Sequence, residues 1–179
     1  MYKQRNRTKK EPIIKKNNMK KFLLVLSFAA TCVLNTNAQE VYKEILNISE
    51  KAANDKTKDI ETRKIATFKV DELKYMVMKT RELMPDTTVN VIDRQAYAMY
   101  DFINLYMKKL GEAKTKKNKD VVLDIFKTAS VQNPWFNDMD LELVESYIRN
   151  EGYITKFSLD TNWIKAIEQA RTELRKKGL

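Results

Sequence analysis

The stretch Val91-Ile92-Asp93-Arg94-Gln95-Ala96-Tyr97-Ala98-Met99-Tyr100-Asp101-Phe102-Ile103-Asn104-Leu105-Tyr106-Met107-Lys108-Lys109-Leu110 decides the fold class. Ile92, Ala96, Met99, Ile103, Tyr106 and Leu110 recur at intervals of three and four residues, and Tyr100, Phe102 and Met107 broaden the stripe. At about 100° per residue this arc covers nearly half of a helix surface, whereas a strand would alternate strictly. The pattern predicts a helix over 91–110, the most buried one in the protein. Asn90 is its expected cap, with Asp93 three residues on completing a variant of the capping box.

Reading outward, the punctuation is sparse. The three glycines, Gly111, Gly152 and Gly178, each follow an apolar-periodic stretch with basic residues in its last turn. That combination marks helix C-termini, where a left-handed residue ends the helix and cations favour its negative pole. Pro85 and Pro134 fall between periodic segments. Five more helices follow from the same periodicity. One over 40–54 should bury Val41, Ile45, Ile48 and Ala52, and one over 58–84, starting at Thr57 or Asp59, should bury Ala66, Val70, Leu73, Val77 and Met84 with Ile65, Phe68 and Met76. One over 120–130 presents Val122, Ile125, Phe126 and Ala129, and one over 139–150 presents Leu141, Val144 and Ile148. The last, over 161–177, presents Trp163, Ile167, Ala170 and Leu174 behind Ser158 and Asp160 as capping candidates. Residues 153–159 alone have β-like composition and are expected to form an extended connector. No repeat of 20–50 residues is visible, which argues against a regular solenoid. The fold class expected is all-α, a single-domain bundle of about six helices over residues 39–179.

The N-terminal part has a different character. Met19-Lys20-Lys21 is a short positive segment, and 22–33, from Phe22 to Val33, is an uncharged, mainly apolar run. Thr36-Asn37-Ala38 then supplies small residues where a signal peptidase reads, so cleavage is expected after Ala38. The apolar run is shorter than the roughly 20 residues of a spanning helix. Residues 1–18 are polar and basic without periodicity, so translation is expected to begin at Met19, the alternative being a long n-region. Cys32, the only cysteine, could mark a lipoprotein signal, but Thr31 is a poor residue before a lipidated cysteine. Cleavage after Ala38 leaves 141 of the 179 residues, enough for one domain with its own core. That mature chain has no cysteine and no transmembrane helix.

Removal of 1–38 also changes the charge. The whole chain has 34 basic and 24 acidic residues, of which the first 38 hold nine and one, so 25 and 23 remain, a net of +2. The apparent basicity therefore gives no reason to expect a nucleic-acid partner.

Chemistry is limited by what the composition lacks. There is no histidine, the usual general base and transition-metal ligand. Three glycines, all placed at helix ends, leave no loop to cradle a phosphate or dinucleotide. No cofactor and no metal are expected. Asn137-Asp138-Met139-Asp140-Leu141-Glu142 gathers oxygens as a calcium loop would, but lacks the central glycine and twelfth-position Glu; acids at a helix N-terminus explain it. Lys114-Thr115-Lys116-Lys117-Asn118-Lys119 is the densest basic run after residue 38. It could meet an anionic surface or polysaccharide, and it reads as a solvated loop between helices. Trp135 and Phe136, beside Pro134 in a loop, are the best contact candidates, followed by Tyr97 and Tyr100 on the edge of the third helix; Tyr153 and Phe157 line the connector. Asp86-Thr87-Thr88 resembles a short acceptor motif for periplasmic O-glycosylation, which makes Thr87 a candidate modification site.

The segment Leu34-Asn35-Thr36-Asn37-Ala38-Gln39-Glu40 resembles export signals of Bacteroidetes-type bacteria. The segments 95–102 (Gln-Ala-Tyr-Ala-Met-Tyr-Asp-Phe) and 157–163 (Phe-Ser-Leu-Asp-Thr-Asn-Trp) are similar to parts of small exported helical proteins of that group. The resemblance implies a compartment and no activity. The expected function is a non-enzymatic periplasmic or secreted domain that binds a protein or glycan partner in the cell envelope. The alternatives are a small hydrolase cutting cell-wall or other glycan through paired carboxylates, and a purely structural envelope protein.

Overall fold

A computed structural model of the chain describes residues 40–179. The export segment, the cleavage after Ala38, the start at Met19 and the fate of Cys32 lie outside the described residues. Among the described residues seven helices follow one another: α1 (Val41–Asn54), α2 (Ile60–Leu83), α3 (Val89–Glu112), α4 (Lys116–Val131), the short α5 (Leu141–Val144) and α6 (Ser146–Arg149), and α7 (Trp163–Lys177). There is no strand among the described residues. The protein is an all-α single-domain bundle. Residues Gln39–Leu179 form a compact unit with a hydrophobic core of their own, which is what independent folding requires.

The α3 helix is the hub, packing against α1, α2, α4 and α7, while α1 also runs along α2 and α7 along α4. Burial is nonetheless shared rather than concentrated as expected: α2 buries nine of its 24 residues and α3 eight of its 24. The stripes read for α4 and α7 are all buried. The α1 face is turned by about one residue. Tyr42 and Ser49 are buried, with Ile45 and Leu46 packed on the core, while Val41 and Ile48 are exposed. Asp93 fixes that orientation: its Oδ1 accepts from the Tyr42 amide at 2.9 Å. It therefore serves the N-terminus of α1 and not its own helix, which starts after Thr88 without a side-chain cap.

The other caps agree with expectation only in part. Asp59 caps α2 through the Thr62 amide, at 2.8 Å. Asn162, and neither Ser158 nor Asp160, caps α7 through the Lys165 amide. The basic run expected as a loop is helical from Lys116, with Thr115 as cap. Gly178 is left-handed at φ 70° and closes α7, but α3 continues through Gly111 to Glu112, and Gly152 sits in a turn beyond Asn150, the residue that caps α6.

One helix expected over 139–150 is broken at Glu145, where φ −97° and ψ 5° leave helical geometry. The Val144 carbonyl, which a continuous helix would offer to the Ile148 amide, accepts instead from the Leu159 amide at 2.9 Å. The partner strap, residues 150–162, is irregular, and much of it is not on the surface. Thr155 and Phe157 to Thr161 are buried. Phe157 stands edge-on to Phe102 at 5.2 Å and Tyr106 at 5.1 Å, and Phe102 meets Trp163 at 5.2 Å. Buried irregular backbone must find hydrogen-bond partners within the protein, and here side chains supply them. Ser130 Oγ accepts from the Ser158 amide at 2.9 Å, and the Tyr106 hydroxyl donates to the Ile154 carbonyl at 2.9 Å. The Asn133 carbonyl accepts from the Asn162 amide at 2.7 Å.

Candidate functional site

The strap brings Asp160 under the loop between α4 and α5. Asp160 is 4% exposed, and its carboxylate accepts from three backbone amides: Trp135 at 2.8 Å, Phe136 at 2.7 Å and Asp138 at 2.8 Å. Three charge-assisted bonds to one side chain fix this loop as firmly as a short element of secondary structure. They also impose a sharp turn, because Asn137 takes a left-handed φ of 54°. Asparagine tolerates that region better than other residues with a Cβ.

The loop is pinned from its other side by α2. Asp138 Oδ2 lies 3.0 Å from Lys79 Nζ and accepts from the Tyr75 hydroxyl at 3.0 Å, while Oδ1 accepts from the Asp140 amide at 3.1 Å. Burial alone would raise the Asp138 carboxyl, but the bonds from Asp140, Lys79 and Tyr75 outweigh it and hold the group below its ordinary range. Asp138 is thus an anion throughout the neutral range. Burial, helped by the carboxylates of Asp160 and Asp138, holds the Tyr75 hydroxyl protonated as a donor. Asp140 accepts from the Leu143 amide at 3.1 Å and so caps α5.

Between this loop, α5 and α6 lies a cleft of about 280 Å³. Asp138, Asp160, Ser158 and Glu145 give it polar walls, and Val131, Met139, Leu141, Val144 and Ile148 give it apolar ones. Three of these apolar residues stay open to solvent: Met139 is 87% exposed, Leu141 52% and Val131 43%. An 87% exposed methionine on a loop held in place by six hydrogen bonds is a side chain presented outward, not one left over by loose packing.

The residues singled out from sequence fall in two places. Trp135 and Phe136 are brought together, stacked at 4.5 Å, but they are half-buried and pack on the core, Phe136 edge-on to Tyr75 at 6.0 Å. They support the cleft loop from behind. Tyr97 and Tyr100 are exposed on α3. Tyr97 edges a shallow depression with Val41, Asp93, Arg94 and Ile164, and Lys69 Nζ sits 4.5 Å over the Tyr100 ring. No cleft described among these residues is lined by members of both pairs. Thr87 is half-exposed in the turn after α2, its amide bonded to the Met84 carbonyl at 2.9 Å.

Behind the cleft lies a group that sequence reading missed. Glu72 is 1% exposed. Its Oε1 accepts from Trp163 Nε1 at 2.6 Å, and its Oε2 has no hydrogen-bond partner. Burial pushes this carboxyl well above its ordinary range, against the Trp163 bond and with a further push from Asp160. A signal was present: Phe68, Glu72 and Met76 are four residues apart, so a helix over this stretch must place all three on one face. Asp160 was visible only as a capping residue, because the three amides it serves are 22 to 25 residues away in sequence.

Comparison with known protein families, curated proteins and solved structures returns no match for this chain.

Proposed function

We propose that the chain is an exported, non-catalytic binding domain whose contact surface is the cleft between the α4–α5 loop and α6, with Met139 and Leu141 at its rim. The observation that carries this reading is the pairing of a rigid loop with solvent-exposed apolar side chains. Asp160, Asp138 and Asn137 define the backbone, while Met139 and Leu141 project from it with 87% and 52% of their surface in solvent. A preorganised apolar contact loses little entropy on binding. The exposed carboxylates of Asp140 and Glu142 favour a protein segment with an apolar side chain flanked by lysine or arginine, while Asp138 and Glu145 are already paired with Lys79 and Arg149. A glycan partner fits less well, because the two rings best suited to stack on sugar, Trp135 and Phe136, pack against each other and the core.

The carboxylates also speak for binding over hydrolysis. Glycoside hydrolysis needs one carboxyl held protonated and within reach of the substrate, opposite a second. The carboxyl with the raised proton affinity, Glu72, is sealed in the core. Asp138 is held as an anion by Lys79, Tyr75 and the Asp140 amide, and Asp160 is occupied by three amides.

Affinity capture from the native envelope tests the reading. Met139→Asp with Leu141→Asp should abolish recovery of a partner that the unaltered domain retains, with helical content unchanged since both side chains are exposed. Equal recovery by the double variant would contradict it. Export is tested on the same material: its N-terminal residue should be Gln39, and a chain still carrying Phe22 to Val33 in the cytosol would overturn the assignment.

A further inference from the structure

A second surface stands at the opposite end of α4. The run Lys114, Lys116, Lys117 and Lys119 and the run Arg175, Lys176 and Lys177 are more than 50 residues apart in sequence, and all seven side chains are exposed. The fold brings the runs together: Lys116, Lys117 and Lys177 line one open cleft floored by Val121 and Ile125. Only Lys176 is ion-paired among the described residues, to Glu173 at 2.7 Å. Counting that pair as neutral, and setting the cleft acids Asp120 and Asp124 against two cations, leaves four uncompensated positive charges. The whole domain after residue 38 carries only +2, so the remainder is net negative and the positive charge is polarised to this end.

Helix stability explains only half of the pattern. The Arg175–Lys177 run favours the negative pole of α7. Lys116, Lys117 and Lys119 do the opposite in α4, occupying a first turn that has no acidic residue and where positive side chains are disfavoured. A local conflict of this kind, only partly offset by Asp120 and Asp124, is expected at functional sites.

We propose that this end of the domain docks on the surface of an anionic phospholipid bilayer. Charge complementarity carries the choice of occupant, since a layer of phosphate head groups requires only an open array of cations. Single-stranded nucleic acids are gripped by stacking their bases on rings, and neither basic run nor the cleft between them contains an aromatic residue. No helix among the described residues is long and apolar enough to cross a membrane, so the contact is peripheral and salt-sensitive.

The test uses residues 39–179, free of the basic leader, sedimented with vesicles of equal parts phosphatidylglycerol and phosphatidylcholine, with phosphatidylcholine alone, or mixed with soluble dextran sulfate. Binding to the anionic vesicles should weaken steeply as salt rises, because the Debye length shrinks to about 8 Å at physiological ionic strength. The triple variant Lys116→Gln, Lys117→Gln, Lys177→Gln should bind them on the order of 100-fold more weakly, at roughly fivefold per cation near the surface. The charge-matched triple Lys51→Gln, Lys56→Gln, Lys58→Gln should change binding by less than about threefold, since those residues lie outside the paired runs. Circular dichroism confirms that both triples keep their helices. Equal loss in the two triples, equal binding to neutral vesicles, absence of vesicle binding at low salt, or binding to dextran sulfate alone would each overturn the proposal. None of these outcomes bears on the Met139 cleft.

Discussion

Replacing Asp160 with Ala removes the acceptor from the amides of Trp135, Phe136 and Asp138 at once. Buried donors without partners are costly, so urea unfolding should show a loss on the order of 3 kcal/mol, and Asp160→Asn should recover part of it. An Ala variant as stable as the parent would mean that the loop holds its own shape. Glu72 makes a prediction of the opposite sign. Its folded-state carboxyl is raised above the ordinary value of 4.5, so above that pH the native state holds a proton that the unfolded chain has lost. Stability must then fall as pH rises from about 4.5 toward the folded value. Glu72→Gln keeps an acceptor for Trp163 Nε1 and removes the ionisation. Its denaturation midpoint should exceed the parent's at pH 8 and approach it near pH 4, whereas an identical pH profile in both proteins would refute the buried proton. The sequence showed the place of Glu72 on a helix face but not its buried proton, and the role of Asp160 not at all. Glu72 sits on the apolar face of α2, where a single acid reads as an interruption, and Asp160 resembles any other carboxylate before a helix.

Among the elements, those with a single apolar stripe were legible, and those whose orientation or end is set by a distant side chain or amide were not. The α4 and α7 stripes need only a helix of the right length beside an apolar neighbour, and Val122, Phe126, Trp163 and Ala170 are all buried. The α1 face was misread because two overlapping stripes compete, and the choice between them is made by Asp93, 51 residues away from Tyr42. The break between α5 and α6 has the same origin, since the Leu159 amide takes the Val144 carbonyl. The strap over 150–162 is irregular over 153–159, where a connector was expected; what went unread is its burial, which its β-like composition reflects without strand pairing. Phe157→Ala should therefore behave as a core deletion, lowering stability by about 3–5 kcal/mol and loosening the cleft loop through Asp160. A loss below about 1 kcal/mol, the range of a surface loop residue, would contradict the packing described for it.

Across the described residues, the bundle holds two unlike surfaces about 24 Å apart, the length of a 16-residue helix with its basic end at Lys116 and its cleft end at Val131. A domain resting on an anionic bilayer through the first would present the second to the space beyond it, where another envelope protein could meet Met139. The all-α class and the apolar stripes were legible because periodicity is a local property; the two surfaces were not, since each is assembled from segments distant in the chain. The Met139 rim is the claim on which the functional reading stands, and a photo-crosslinking residue placed at position 139 in the native host reads it most directly. The account predicts a discrete protein adduct from position 139 that disappears when Leu141 is changed to Asp, and none from position 97 on the exposed face of α3. An adduct from position 97 alone, or none from either, would contradict it.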